Sequence, residues 1–204
     1  MSDDVSIGLI CPTIGRSTLK ALYDSVIPQL SSRDYFIVIG DGPQPSAKEL
    51  LPDLLYQNPG KHLWYEELPE RVGDYGCTPC MRGIAMANTD LVFFIGDDDL
   101  LAEGAFEAIR KGAKEHPHVP LLFRMLHSGR VLGHTLECSS VSGQQIVVPN
   151  DKAKMPNMAD CPPHQIRVSD WVFIQKVNEA WGNQTVFLDD IIAILPRQND
   201  GRVF

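Results

Sequence analysis

This sequence lacks most of the features that announce a function outright. None of its 204 residues falls in an uninterrupted apolar run of the roughly 18 that span a membrane. The first residues, Met1-Ser2-Asp3-Asp4, are acidic where a secretory leader is basic, so a soluble, intracellular, cytoplasmic protein is expected. Cysteine is scarce and odd in number, with Cys77-x-x-Cys80 the one close pair and no second such pair to complete a zinc site. Reduced packing thiols are therefore expected. Residues 10–16, after the first apolar run, contain no G-x-G-x-x-G, and G-K-[ST] is absent. That excludes a dinucleotide oxidoreductase and a P-loop kinase. Positive charge is short in the front half: residues 1–100 hold 7 Lys+Arg against 15 Asp+Glu (−8), while residues 101–204 hold 11 of each. An unaided grip on a polyanion is excluded there, but not one on a diphosphate whose charge a divalent cation offsets.

What is present is the composition of one globular domain, 44% apolar and 22% charged. A single domain over residues 1–204 is expected. Strands are predicted at Val5–Ile10, Tyr35–Ile39, Leu63–Tyr65 and Leu91–Ile95. Helices are predicted from Ser17, from the capping box at Ser46–Glu49, from an N-cap at Thr78 to about Asn88, and over Leu101–Lys114. This alternation predicts an α/β, Rossmann-like fold with a mostly parallel sheet flanked by helices. In such sheets ligands bind beyond the carboxyl ends of the strands. Cys11–Arg16, Gly40–Gly42 and Gly96–Asp99 should therefore meet at one crevice. In the second half, strands are predicted at Leu121–Leu126, Arg130–Leu136 and Gln144–Val148, then a loop over Asn150–Pro163. A helix capped by Ser169 should run to about Ala180, followed by closing strands at Thr185–Leu188 and Ile191–Leu195.

The strongest chemical signal is Ile95-Gly96-Asp97-Asp98-Asp99-Leu100. Three consecutive carboxylates after a buried strand repel one another unless a cation intervenes. In extended backbone Asp97 and Asp99 would face one site together. Hard oxygen ligands at a strand end suit Mg²⁺ or Mn²⁺, bridged to phosphate. The competing reading is a solvated acidic turn leading into the next helix. Asp170, at a helix start, reads either as a general base or as a residue favoured by the helix dipole.

The stretch Gly76–Asp90 followed by Leu91–Asp99 resembles the centre of the family 2 glycosyltransferases, nucleotide-diphospho-sugar transferases of the GT-A fold. Cys11-Pro12-Thr13-Ile14-Gly15-Arg16 resembles the family's first-strand element, and Ile39-Gly40-Asp41-Gly42 the strand end whose Asp meets the nucleobase. Arg167-Val168-Ser169-Asp170-Trp171 resembles its E-D-W element, whose Asp is the catalytic base. The resemblance covers roughly residues 5–115 and 164–197, with all four elements in family order.

The resemblance implies a donor half at 1–100 and an acceptor half at 101–204. It implies nucleotide contacts from Pro12, Thr13, Gly15, Arg16, Asp41, Arg71, Arg82, Asp97 and Asp98, a metal (Mn²⁺ or Mg²⁺) on Asp99 and Asp97, and Asp170 as base. His164 and Arg197 are weaker candidates for phosphate or acceptor contact. There are departures. The family's Arg-Asn pair falls on Cys80-Met81, its additional Asp before D-x-D on Gly96, and its Glu before the base on Ser169; no His follows His164.

These features predict an inverting, metal-dependent glycosyltransferase that moves a sugar from a nucleotide diphosphate to an acceptor hydroxyl. UDP sugars are the family's commonest donors. The acceptor is left open among saccharide, lipid carrier, protein and modified nucleobase. The alternatives are a sugar-phosphate nucleotidyltransferase and a non-catalytic nucleotide-sugar-binding module of the same fold.

Overall fold

The computed structural model describes residues 5–57 and 60–196. In the first half, strands β1 (Ile7–Thr13), β2 (Tyr35–Gly40), β3 (His62–Glu67) and β4 (Leu91–Phe94) alternate with helices α1 (Leu19–Val26), α2 (Pro45–Gln57) and α3 (Cys77–Met86). There follow β5 (Leu100–Leu101), α4 (Ala105–Glu115), β6 (Leu121–His127), β7 (Arg130–Leu132), β8 (Ile146–Pro149), α5 (Ser169–Ala180) and β9 (Val186–Leu195).

The sheet runs β3-β2-β1-β4-β8-β6-β9-β5, with β7 paired to β6. Its first four strands are parallel to one another, as the alternating pattern predicts. Beyond them β8 is antiparallel to both β4 and β6, β5 is antiparallel to β9, and only β6 and β9 pair in parallel. The sheet is therefore mixed, which corrects the mostly parallel expectation. The physical reason is connection length: β6, β7 and β8 follow one another without an intervening helix, and a parallel crossover needs one. Three other boundaries differ. Leu100–Leu101 forms a short strand instead of opening α4, the two closing strands are one, and the 150–163 loop leads into short 3-10 turns at Met158–Asp160 and Pro163–Val168.

Both faces of the sheet are covered. Along β1, Ile7, Leu9 and Cys11 join the core that includes α1 and α4, while Ile10 joins the core that includes α3 and α5. Alternate residues of a strand point to opposite faces, so a strand buried on both sides reads as continuously apolar. Helix α3 lies very close to β1: a Cβ at Gly83 would stand 2.4 Å from Ile10 Cγ2. Only a residue without a side chain permits that approach, and it brings the start of α3 over the carboxyl end of the sheet.

Candidate active site

The carboxyl end of the parallel strands is tied together through Thr13. Its carbonyl accepts from the Asp41 amide at 2.9 Å, joining β1 to the end of β2. Its hydroxyl donates to Asp97 Oδ2 at 2.6 Å, joining β1 to the segment after β4. The Ile14 amide donates to the same oxygen at 3.1 Å, and Arg16 pairs with Asp97 Oδ1 and lies 3.6 Å from Asp98 Oδ2. Burial works to lower the Arg16 pKa, but the charge and hydrogen bond of Asp97, with Asp98 and Asp99 behind it, hold it above its ordinary value.

These strand ends enclose a cleft of about 500 Å³, within the usual range for small-molecule sites. Pro12, Thr13, Arg16, Asp41, Arg71, Asp97 and Asp98 line it, together with Ile14, Gly73, Tyr75, Gly76 and Gly96. Seven of the residues singled out in the sequence thus share one cavity. Gly15 adjoins it with its amide on the Thr13 hydroxyl at 2.9 Å. A larger groove of about 820 Å³ runs between α4 and β9, lined by residues such as Glu107, Lys111 and Asp190. It is an open surface of mixed charge away from the strand ends, and no sequence motif falls in it.

Other candidates lie elsewhere. Arg82 is held by Glu66 at 2.7 Å and is not among the residues lining the cleft. His164 is exposed on the 163–168 turn, and Arg197 lies outside the described residues. Asp41 lines the cleft, yet its carboxylate accepts from the Val72 amide at 2.7 Å and the Gly73 amide at 3.0 Å, with Arg71 Nε 4.0 Å away. It anchors the 71–76 loop over the cleft. Of that loop the sequence singles out Arg71 and Gly76, but not Gly73 or Tyr75. Tyr75 holds a positive φ of 58° and is 66% exposed, an unusual backbone state for a bulky residue.

The acid triplet does not continue as extended chain. Asp97 and Asp98 form a turn in which the Asp99 amide donates to the Gly96 carbonyl at 3.2 Å. Asp97 therefore turns to Thr13 and Arg16, and Asp99 turns the other way, to Gln144 Nε2 at 2.8 Å. This corrects the expectation that the two face one site as alternate residues of a strand. Gly96 has a clear reason here: a Cβ would come within 2.8 Å of Asp99 Oδ2 and 3.0 Å of Asp98 Oδ1. Burial, with the neighbouring carboxylates adding, pushes the Asp99 carboxyl up to about 7 against its bond from Gln144.

Asp170 opens α5, with Val168 and not Ser169 at the cap position. Its Oδ2 accepts from Ser142 Oγ at 2.9 Å and from the Gly143 amide at 3.0 Å. Nearby, burial pushes the Cys77 thiol up to about 11 against a hydrogen bond with Ser169, with Asp74 and Asp170 adding to it. Cys80 is raised as well, by burial first. All five cysteines are unpaired, and these two are packing groups of the α3 core. At the position of the second residue of the Arg-Asn pair, Met81 Sδ accepts from the Met158 amide at 3.3 Å. The cap position of α3 is Gly76 and not Thr78, and Asp74 Oδ2 accepts from the Thr78 amide and hydroxyl in the first turn.

Among the described residues no group of three His, Cys, Asp or Glu side chains forms a ready metal cage. Asp97 is held by Thr13, Ile14 and Arg16, and Asp99 Oδ2 accepts from Gln144 and the Gly96 amide, but each carboxylate oxygen has more than one lone-pair direction, which leaves capacity for a cation. A buried carboxyl held above its ordinary pKa suits one, and Mg²⁺-type ions typically take one or two carboxylates plus substrate phosphate. The residues thus fit a metal shared with a bound diphosphate. No helix of the described residues is long and apolar enough to cross a membrane.

No protein-family model matches the chain, and no curated protein matches its sequence. Solved structures match its fold. A crystal structure of S. aureus TarS residues 1–349 superposes with a TM-score of 0.74 at 16% identity, over 94% of this chain and 60% of that one. The same protein in complex with UDP-GlcNAc matches with 0.74 at 16%, over 97% and 62%. The mannosyltransferase PcManGT from Pyrobaculum calidifontis, in complex with GDP-Man and Mn²⁺, matches with 0.71 at 13%, over 96% and 58%. This chain spans about three fifths of the length of these structures. Its α/β architecture, a mixed sheet flanked by helices, is a GT-A-like fold matching that of TarS.

Proposed function

We propose that this chain transfers a sugar from a nucleoside-diphosphate donor to an acceptor hydroxyl, with inversion at the anomeric carbon. One observation carries the reading: three strand-end segments, from unrelated parts of the sequence, close around a single cleft with Asp97 and Asp98 of the acid triplet on its wall. The relatives in fold that hold UDP-GlcNAc or GDP-Man support it.

In this reading Pro12, Thr13 and Asp41 take the nucleoside. Asp41 has acceptor capacity beyond its two loop amides, since each carboxylate oxygen has more than one lone-pair direction. Arg71 and Arg16 face the phosphates. Gly15, Asp97 and Asp98 shape that wall, with Asp97 holding Arg16 in place. Asp99, with Asp97, would share Mn²⁺ or Mg²⁺ with the diphosphate. Such an ion supplies Lewis-acid stabilisation of the leaving diphosphate. Asp170 accepts the proton of the acceptor hydroxyl as it attacks, and its ties to Ser142 and Gly143 hold the carboxylate in one orientation. His164 is a candidate for contact with donor phosphate or acceptor, and Arg197 for closing over the diphosphate.

The test is release of nucleoside diphosphate from UDP-GlcNAc and from GDP-mannose, with Mn²⁺ present and chelated. Pyrophosphate release would indicate nucleotidyl transfer instead. Binding without either product would indicate a non-catalytic module, a reading that the engagement of Asp97 by Arg16 keeps in view. Asp170→Asn should keep donor affinity and lower transfer by about 10²–10⁴-fold. Near-wild-type transfer by that variant would remove Asp170 from the mechanism.

A further inference from the structure

The two acidic groups given different tasks above, Asp99 and Asp170, are joined by a short turn that no sequence motif marks. Residues Gly143–Gln145 form one 3-10 turn before β8. Its frame is rigid. Gln145 is fully buried, its Nε2 donates to the Phe123 carbonyl at 3.0 Å, and its Oε1 accepts from the Ser142 amide at 2.8 Å. The turn is therefore locked to β6 from behind. From the front, Gln144 Nε2 donates to Asp99 Oδ2, Ser142 Oγ donates toward Gln144 Oε1, and the same hydroxyl lies 2.9 Å from Asp170 Oδ2. The Gly143 amide donates to the same Asp170 oxygen at 3.0 Å.

The Ser142 hydroxyl has one proton and two acceptors in reach. Whatever holds Gln144 on Asp99 holds its Oε1 toward Ser142, and that decides how much of the proton Asp170 receives. We infer that Ser142 and Gln144 are positioning residues that couple Asp99 to Asp170, so that the state of the donor-side carboxylate sets the orientation and hydrogen bonding of the acceptor-side one. Their importance for catalysis rests on the proposed role of Asp170; the coupling itself does not.

Carboxyl-¹³C NMR of aspartate-labelled protein tests the coupling without any ligand. The Asp170 Cγ resonance is assigned by its loss in Asp170→Asn. Asp99→Ala should move it. In a Gln144→Ala background, Asp99→Ala should move it no further. Ser142→Ala should abolish the response to Asp99→Ala, and Ser142→Thr, which keeps the hydroxyl, should restore it. An equal Asp170 shift on Asp99→Ala with and without Gln144 would overturn the inference, as would no shift at all. Should Gln144→Ala melt the turn, the Ser142→Ala and Ser142→Thr pair decides alone. In the transfer assay Gln144→Ala should lower kcat by roughly 10–100-fold while UDP affinity holds, the usual effect of removing an orienting neighbour. Failure of nucleotide to bind would count against the proposed function and leave the NMR result standing.

Discussion

Two Arg–Asp pairs sit at opposite ends of the same strands, and they differ in what surrounds them. At the amino ends, Asp34 precedes β2 and accepts from the Ile7 amide at 2.9 Å and the Ser31 amide at 2.7 Å. Arg110 closes over it, packed against the Phe106 ring at 5.6 Å, and only 12% of its side chain is exposed. At the carboxyl ends, Asp97 is as deeply buried, but its partner Arg16 is 36% exposed and lines the cleft. The first pair is almost wholly buried, with only the edge of Arg110 reaching the α4–β9 groove, and it ties two strands to a helix. The second is open on one side, where a ligand phosphate can compete for the guanidinium. The same two residue types thus serve stability at one end and binding at the other, as the topology of open α/β sheets favours.

The contrast yields predictions, the largest first. Asp34→Ala removes the carboxylate paired with the mostly buried Arg110, which keeps the Val5 carbonyl and the Ser31 hydroxyl, and strips two amides of their acceptor. This costs about 3–5 kcal/mol. At about 2–4 °C per kcal/mol for a chain of this size, the melting temperature should fall by more than about 6 °C. Nucleotide binding below the melt should be unaffected. A fall under about 2 °C would erase the distinction between the two ends. Asp97→Asn, which keeps an acceptor for Thr13, should melt closer to wild type than Asp34→Ala does.

Within the cleft, Asp41→Ala should weaken nucleotide binding by about 1–3 kcal/mol, because the 71–76 loop loses its anchor and the nucleoside loses an acceptor. Unchanged affinity in a calorimetric titration would leave Asp41 as a loop anchor only. Asp99 gives an effect that depends on pH. Its folded-state pKa, about 7, lies above its ordinary value of 3.8, chiefly because it is buried. Between those pH values the folded protein holds a proton that the unfolded chain has released, so stability falls as pH rises through that window. Asp99→Asn should remove that slope, matching wild type near pH 4 and melting higher at pH 8. Parallel melting profiles of the two proteins would contradict this. The smallest effect concerns Tyr75: Asn tolerates a positive φ better, so Tyr75→Asn should raise the melting temperature by up to about 1 kcal/mol in equivalent stability. If Tyr75 lies against the nucleotide, affinity should fall at the same time.

How much of this was legible in the sequence follows from where the information lies. The four parallel strands and the converging strand ends were legible because alternation of apolar runs with helical periods is local. The antiparallel β8 and the single long β9 were not, since pairing direction depends on partners distant in the chain. Asp97 and Asp99 were read as alternate residues of one strand; the turn at Gly96 sends them to opposite sides, and a glycine there was the available hint. Arg82 was placed near phosphate by its neighbours on α3, but it points to Glu66 on β3. Ser142 and Gln144 were missed because Gln144 was read as the start of a strand, and nothing in the local pattern ties that turn to Asp99 or Asp170.

The central claim is that the cleft at the carboxyl ends holds a nucleoside diphosphate together with a divalent cation. Titration calorimetry of UDP and GDP into the protein, in Mn²⁺ and then in EDTA, tests it most directly, with Arg16→Ala and Asp99→Ala measured alongside. The account predicts saturable binding of at least one nucleotide in Mn²⁺, a marked loss in EDTA, and weakening in both variants. Absence of binding by either nucleotide, or equal affinity in Mn²⁺ and EDTA that neither variant alters, would contradict it.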